Sequence, residues 1–204
     1  MDEQTILLEA RQIVERESQV IAALAQQLDQ RFVAAVRLLL ACEGPVLVTG
    51  VGTSGAVARR LAHLLTCCGT PALYLHPGDA QHGMSGAIMP TTTLIALSKG
   101  GESAEITFVV TYARQQGAKV LALTEKPEST LGRLADVALL IQTPADADQL
   151  NYIATGSSLA VAAVGDALCG LLLRLRGRTL DAFAATHPGG AVGQTLSQSQ
   201  DTES

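Results

Sequence analysis

Three segments of the chain combine glycine with serine or threonine in a way that suits the binding of an anion. They are GVGTSG at 50–55, SKGGES at 98–103 and TGSS at 155–158. Each lies where an apolar run gives way to a helix-like pattern, so hydroxyls and free backbone N–H groups would meet there. Such hydroxyls also serve as ordinary helix caps. Three of these segments at one edge of a sheet favour a phosphate.

The first segment is compatible with more than one phosphate. GVGTSG matches G-x-G-x-x-G, with Gly50, Gly52 and Gly55 at the glycine positions. A dinucleotide site also needs an acid at the end of the next strand, but that strand ends in LYLHPG and places His76 there. No G-K-S or G-K-T follows the glycines, which excludes a P-loop. A tight turn with a purely structural role is the alternative to a monophosphate site.

We therefore predict that these turns hold a monophosphate through hydroxyls and backbone N–H groups. Ser54 would lie at a helix N-terminus, Ser98 at the end of the third strand, and Ser103 at the start of the next helix. The predicted binding set is Gly52, Thr53, Ser54, Ser98, Lys99, Gly101, Ser103 and Thr155.

A few histidines and acids could move a proton beside such a phosphate. His187, in THPGG, lies in a loop where an exposed imidazole exchanges protons near neutral pH, and His82 follows the second strand. Glu102 begins a helix, where the helix dipole also favours an acid. Asp146 lies in the loop after the fifth strand, where a bound substrate would shelter it. These four are the predicted catalytic residues, each with a structural role as the alternative.

The elements that must position these residues alternate along the chain. Apolar runs predict strands at 46–49, 72–75, 93–97, 119–124 and 137–141. Helices are predicted near 54–67, 103–116, 129–135 and 151–174. Short apolar strands that alternate with helices are typical of an α/β fold whose parallel sheet is covered on both faces. Ligands bind beyond the carboxyl ends of such strands, which is where the three turns fall.

The regions before and after this pattern receive separate predictions. Apolar residues in 5–41 recur at intervals of three, four and seven and predict a long helical arm with a break near Asp29. We assign 1–42 to this arm, which would pack on the domain or on another subunit, and 43–196 to the α/β domain. The polar segment 197–204 is expected to be a disordered tail.

Composition and charge argue against several classes of function. The chain has 204 residues, enough for one domain, and a net charge of −5 without a basic stripe, which argues against nucleic acid. Its four cysteines form no pair of C-x-x-C motifs and predict neither a zinc site nor a disulfide framework. The N-terminus is not of signal-peptide type, and the apolar segment 159–173 is shorter than the ~20 residues of a membrane span. We expect a cytoplasmic protein without membrane contact.

Five stretches in register resemble the sugar isomerase (SIS) domain, most closely its arabinose-5-phosphate isomerase branch. They are GVGTSG, HPGDAQHG, SKGGES, GDAL and THPGGAVG, and they span about residues 40–196. The resemblance implies a flavodoxin-like, three-layer sandwich with five parallel strands and a phosphorylated sugar as ligand. It also implies a homo-oligomer, usually a tetramer or paired dimers, whose sites draw residues from neighbouring subunits. Many members carry paired CBS domains after the sugar domain, so the chain resembles a short form.

The chain departs from that branch at several motif positions. Thr53 stands where G-M-G-K-S-G has a lysine of the active site, and Met84 replaces the Asp of H-G-D. Lys99 and Gly100 replace the Asn-Ser of S-N-S-G-E-S, so Lys99 would partly restore the lost positive charge. Asp146 falls where the branch has a functional glutamate. The resemblance implies an aldose–ketose isomerase that works through an enediol without a cofactor or metal, and the departures keep a non-catalytic sensor as the alternative.

Overall fold

Five strands form a single parallel sheet at the centre of the molecule. A computed structural model, which describes residues 1–189, orders them β2–β1–β3–β4–β5. The strands are β1 (Val46–Gly50), β2 (Ala72–Tyr74), β3 (Thr93–Leu97), β4 (Lys119–Thr124) and β5 (Val137–Leu140). The order is the flavodoxin-like one. The predicted fold class is confirmed, and every predicted strand lies within one residue of its observed bounds.

Eight α-helices and one 3₁₀ helix surround the sheet within residues 1–189. They are α1 (Glu3–Leu24), α2 (Gln30–Leu40), α3 (Gly52–Cys67), α4 (Pro77–Gln81), the 3₁₀ helix (Met84–Ala87), α5 (Ala104–Gln115), α6 (Thr130–Leu134), α7 (Gly156–Leu175) and α8 (Leu180–Ala184). The sequence did not predict α4, α8 or the 3₁₀ helix, because each is too short to show a helical period.

Helix α7 begins five residues later than its predicted start at 151. Leu150 and Asn151 have φ angles of 54° and 58°. Residues other than glycine rarely adopt this left-handed conformation, which a right-handed helix does not contain. Residues 150–152 therefore form a turn, and the side chains of Leu150 and Tyr152 are exposed.

The sheet is buried on both faces, as its apolar strands require. Alternate strand residues such as Val48, Ile95 and Leu121 face the layer that contains α2, α3 and α7. Their neighbours, among them Leu94 and Ala122, face the layer that contains α5 and α6. This alternation follows from the two-residue period of a strand and produces the expected three-layer sandwich.

The N-terminal arm packs on its own domain. Its predicted break is confirmed, since Asp29 caps α2 by accepting a hydrogen bond from the Arg31 N–H. Helix α1 packs on α7, and α2 packs on β5 and α7. Phe32 and Leu39 of α2 belong to the main core. The arm is thus part of the core at α2.

Residues 190–204 include the end of the predicted domain and the predicted tail, and they lie outside the described residues.

Helix α7 is the one helix within residues 1–189 that is long and apolar enough to cross a membrane. It has 20 residues, so the expectation that this segment is too short for a span is wrong. Core helices that are apolar on all sides have the same composition. In the structure α7 packs on α1, α2 and α3, and Leu168 and Leu172 are fully buried.

Candidate functional site

A cleft opens at the carboxyl edge of the sheet. Its apolar floor is formed by Val57, Leu97, Leu123, Ile141 and Val161. Its polar lining is formed by Thr53, Ser54, Ser98, Lys99, Thr124, Glu125, Ser157 and Ser158. The three hydroxyl-rich segments therefore do converge, as the position of ligands in parallel sheets predicts. Thr124 and Glu125 are lining residues that no sequence motif indicated.

The SKGGES turn places two hydroxyls side by side. Ser98 is buried directly after β3, and its Oγ accepts a hydrogen bond of 3.1 Å from the Gly101 N–H. The Ser103 Oγ lies 3.3 Å from the Ser98 Oγ. Gly101 has a φ of +69° and its carbonyl accepts from the Leu131 N–H of α6. The glycine thus permits a turn that is tied to the neighbouring helix.

Helices α3 and α5 differ from α4 and α6, which begin at the same edge of the sheet, in how their first N–H groups are satisfied. Side chains of Asp2, Asp29, His76, Ser129 and Thr179 cap α1, α2, α4, α6 and α8. No side chain of residues 1–189 caps α3 or α5. The Ser103 hydroxyl is thus not used for capping. Two helix N-termini at the edge of the cleft therefore present N–H groups of the kind that bind anions.

Helix α7 reaches the cleft with a different arrangement. Thr155 precedes it without capping it, and the Thr155 Oγ1 accepts a hydrogen bond from the Gln149 N–H instead. The Ala147 carbonyl accepts from the Gly156 N–H, and Asp148 accepts from the Ser157 N–H. The start of α7 contributes Ser157 and Ser158 to the cleft rather than free N–H groups.

Lys99 in the cleft lining lies close to two carboxylates, Glu125 within the lining and Asp148 behind it. The Lys99 Nζ lies 2.8 Å from the Asp148 Oδ2 and 3.7 Å from the Glu125 Oε1. The Asp148 carboxylate also accepts hydrogen bonds from the Ser157 N–H at 2.9 Å and from the Ser157 Oγ at 2.8 Å. Burial alone would raise the pKa of Asp148, but the hydrogen bonds from Lys99 and Ser157 outweigh it and hold that pKa below its usual value.

The lowered pKa of Asp148 predicts a stability difference that depends on pH. Asp148→Asn is expected to lower the free energy of unfolding at pH 7 by about 1–3 kcal/mol, because hydrogen bonds to a buried charge are lost. A depressed folded-state pKa contributes stability above the unfolded pKa of about 3.9 and loses it as pH falls through the folded value. The difference between wild type and variant should therefore shrink below pH 4 in urea titrations.

The matched control for that measurement is Asp146→Asn. Asp146 is exposed, two residues away in the same loop. Surface substitutions of this kind usually change stability by no more than about 0.5 kcal/mol, so the free energy of unfolding of this variant should stay within that margin of wild type. If the free energies of unfolding of wild type and Asp148→Asn differ by the same amount at pH 3 and pH 7, the ion-pair assignment is contradicted.

The predicted acids Glu102 and Asp146 do not line the cleft. The exposed carboxylate of Glu102 accepts 2.8 Å hydrogen bonds from both the N–H and the Oγ1 of Thr130 at the start of α6. The hydrogen bond from the Thr130 N–H has the largest effect and the bond from its hydroxyl the next, and both lower the pKa of Glu102. Asp146 is exposed in the loop before α7. Their catalytic roles stay predictions, and the acid that the structure brings to the cleft is Glu125.

The predicted histidines are also placed away from the cleft of their own chain. His82 is exposed at the end of α4. His187 Nε2 lies 3.3 Å from Cys67 Sγ, at the last residue of α3, and its ring stacks on Phe183 at 3.9 Å. Ser54, near the other end of α3, lines the cleft. Thirteen residues of helix separate the two ends by about 20 Å, so His187 cannot reach the cleft of its own subunit in this conformation.

The backbone geometry of the GVGTSG turn requires its glycines. Gly52 has a φ of +56° and begins α3. A Cβ on Gly55 would lie 2.8 Å from the Gly50 carbonyl oxygen, so strand and helix pack too closely for a side chain. Tyr74 donates a 3.0 Å hydrogen bond to that same carbonyl. Thr53 and Ser54 are the residues of this turn that line the cleft. Gly52 instead lines a shallower groove with Arg59 and His76.

The fold and this edge define the class of the protein. The family model of the SIS domain matches residues 39–169, and the chain belongs to the SIS-domain family. No group of three or more His, Cys, Asp or Glu side chains within residues 1–189 is arranged to hold a metal ion.

The individual relatives are sugar-phosphate proteins. The chain is 37% identical over 186 residues to the arabinose 5-phosphate isomerase KdsD of Escherichia coli K12, a match that covers 91% of the chain and 57% of KdsD. It thus spans little more than half the length of the curated relatives it matches. A Listeria monocytogenes protein with an attributed sugar-phosphate isomerase activity is 33% identical, with a TM-score of 0.90 over 93% of this chain and 100% of that one. Escherichia coli CFT073 c3406, solved in complex with arabinose 5-phosphate, is 28% identical, with a TM-score of 0.88 over 92% and 100%.

Proposed function

We propose that the chain is a phosphosugar isomerase that interconverts an aldose phosphate and a ketose phosphate, of the arabinose 5-phosphate and ribulose 5-phosphate type. The observation that carries this proposal is the pair of uncapped helices, α3 and α5, at a cleft lined by Thr53, Ser54 and Ser98. Hydroxyls and N–H groups of this kind suit a phosphate. The similarity to KdsD and to c3406 with its bound arabinose 5-phosphate supports the sugar part of the assignment.

The phosphate is held chiefly by neutral donors. Lys99 is the cation of the cleft lining, and it is already paired with Asp148 and close to Glu125. Lys99 alone therefore contributes little to the binding of a phosphate, whose negative charge would compete with these two carboxylates. Ser54, Ser98 and Ser103 bind the phosphate together with the first N–H groups of α3 and α5, and Lys99 orients the ligand from the side.

The sugar carbons then lie over the apolar floor of the cleft, which keeps water from the reacting bond. Isomerisation needs a group that assists ring opening, a base that moves a proton between C1 and C2, and donors for the charge that grows on oxygen. No cofactor enters this scheme. The hydroxyls of Thr124, Ser157 and Ser158 line the cleft beside the sugar. Their O–H groups already donate within the protein, so their oxygens accept hydrogen bonds from the sugar hydroxyls.

We propose further that the protein is a cytoplasmic homo-oligomer, a tetramer, with sites near its subunit interfaces. The placement of His187 supports shared sites, because its distance from the cleft excludes a role within the same subunit. Exposed apolar residues on α1, namely Ile6, Leu7, Val14 and Ile21, give it a surface that another subunit can cover. The four free cysteines suit a reducing compartment.

The test of this function is NMR of the protein with a panel of pentose and hexose phosphates in D₂O. Arabinose 5-phosphate should give ribulose 5-phosphate signals, with deuterium at the carbon that exchanged its proton. The control is the same panel without phosphate groups, which should not react. Absence of both new signals and deuterium across the whole panel would contradict the proposal.

A non-catalytic sensor of the same sugar phosphate is the second candidate. It is favoured by the position of Glu102 and Asp146 outside the cleft lining, together with Thr53 at the position of the family lysine. The same NMR experiment separates the two functions. Broadened sugar resonances without deuterium incorporation would support the sensor.

A further inference from the structure

We propose that Glu125 is the base that moves the proton between C1 and C2 of the sugar phosphate. The inference rests on the proposed isomerase function and deepens it. Glu125 is the one acid in the cleft lining as the structure describes it, and its side chain is 20% exposed. No motif of the sequence indicated it, because it follows β4 in an ordinary TEKP stretch.

The sheet itself places Glu125 beside the predicted binding residues. In the register of β3 and β4, Leu97 pairs with Leu123. Two residues further on, Lys99 and Glu125 are therefore opposite one another at the cleft. The Glu125 N–H donates a 3.0 Å hydrogen bond to the Lys99 carbonyl, and the Thr124 Oγ1 donates to that carbonyl as well. The backbone of Glu125 is held by the strand that ends in the SKGGES turn.

The carboxylate is oriented by one donor and left with free acceptor capacity. The Thr143 Oγ1 donates a 2.5 Å hydrogen bond to the Glu125 Oε1, and the Lys99 Nζ lies 3.7 Å from the same oxygen. The Glu125 Oε2 has no hydrogen bond to a described residue in the structure. A carboxylate fixed at one oxygen and open at the other fits a group that accepts a proton from substrate.

The other acids near this edge are already engaged. Asp148 accepts hydrogen bonds from Lys99 and from both the N–H and the Oγ of Ser157. Glu102 is bonded twice to Thr130 on the far side of the turn. Asp146 is not in the lining. Glu125 is thus the carboxylate whose position and free oxygen suit proton transfer within the cleft.

The step balances without any further reactant. The open-chain aldose loses its C2 proton to the Glu125 carboxylate. The C–H electrons form the C1–C2 double bond, and the carbonyl electrons move to the aldehyde oxygen, which takes a proton from water and gives the enediol. The protonated Glu125 then returns its proton to C1 while the C2 hydroxyl gives its proton back to water, and the ketose forms with no net change in the solvent. A proton taken up at one carbon and returned at the next allows exchange with D₂O in between.

The experiment compares Glu125→Gln with the control Glu128→Gln in the full chain, using arabinose 5-phosphate. Loss of a general base is expected to lower kcat by about 10²- to 10⁴-fold, with KM within about threefold of wild type, because glutamine still accepts from Thr143 and faces Lys99. Deuterium incorporation should fall with kcat. Glu128 is exposed outside the cleft lining, so its variant should match wild type in every readout.

Two further variants keep the test decisive if Glu125→Gln folds poorly. Glu125→Asp retains a carboxylate at shorter reach and should keep measurable exchange with a reduced kcat. Thr143→Val removes the orienting donor and should lower kcat more than it changes KM. A Glu125→Gln enzyme that keeps kcat, or in which KM alone rises, overturns the inference and leaves Glu125 as a partner of Lys99. A wild-type enzyme that fails across the whole panel instead overturns the proposed function.

Discussion

Gly101→Ala should lower the free energy of unfolding by about 2–5 kcal/mol and abolish sugar-phosphate binding. Gly101 has a φ of +69°, and a Cβ there would lie 2.0 Å from the Ser129 Oγ and 2.5 Å from the Ser129 Cβ. Ser129 cannot move aside easily, because it is buried, caps α6 and donates to the Lys126 carbonyl. The turn must therefore shift, and the Ser98 and Ser103 hydroxyls shift with it.

The measurements are urea denaturation and calorimetric titration with arabinose 5-phosphate. Gly100→Ala is the matched control, since a Cβ at Gly100 meets nothing within 4 Å and its φ is not in the left-handed region. We expect the control to change stability by no more than about 0.5 kcal/mol and to bind the ligand as wild type does. If the two variants have equal stability and equal affinity for arabinose 5-phosphate, the turn tolerates a side chain at position 101.

Mixing two inactive variants should restore about a quarter of wild-type activity if each site takes His187 from a neighbouring subunit. His187→Ala leaves the cleft intact but removes the imidazole. Thr53→Trp fills the cleft from an exposed lining residue and leaves His187 intact. In randomly mixed oligomers half of the clefts are open, and half of those face a subunit that still carries His187.

The readout is the isomerisation rate after the two variants are refolded or co-expressed together. The control mixes His187→Ala with the double variant Thr53→Trp/His187→Ala, which provides no imidazole at all and should stay inactive. If His187 acted in its own subunit, neither mixture could regain activity. Mixed oligomers confirmed by mass spectrometry but without restored activity would therefore rule out a shared site.

The strands and the hydroxyl-rich turns could be predicted because their signals are local. The runs TLIAL and KVLALT are continuous apolar stretches, and β3 and β4 have the bounds that these runs predicted. Turns such as SKGGES follow such strands directly, so the parallel topology alone brings Ser98 and Ser54 to one cleft. A pattern within a few residues is enough for both conclusions.

The charged contacts in and behind the cleft could not be predicted, because they join residues far apart in the chain. Lys99 meets Asp148 across 49 positions, and Thr143 meets Glu125 only after β4, α6 and β5 have taken their places. Glu102 shows the same limit. It lies one residue before Ser103, the N-cap of α5, and the direction of its side chain depends on the first N–H of α6, which no local pattern reveals.

The contact between α1 and α7 joins two helices that are synthesised far apart in time. Val20 and Leu24 are the buried residues of α1, and α1 packs chiefly on α7. Translation at about 5–20 residues per second needs roughly 7–26 s to pass from the end of α1 to the start of α7. During that interval α1 lacks the helix on which it chiefly packs. We therefore expect the nascent protein to engage a chaperone through α1 before α7 is released.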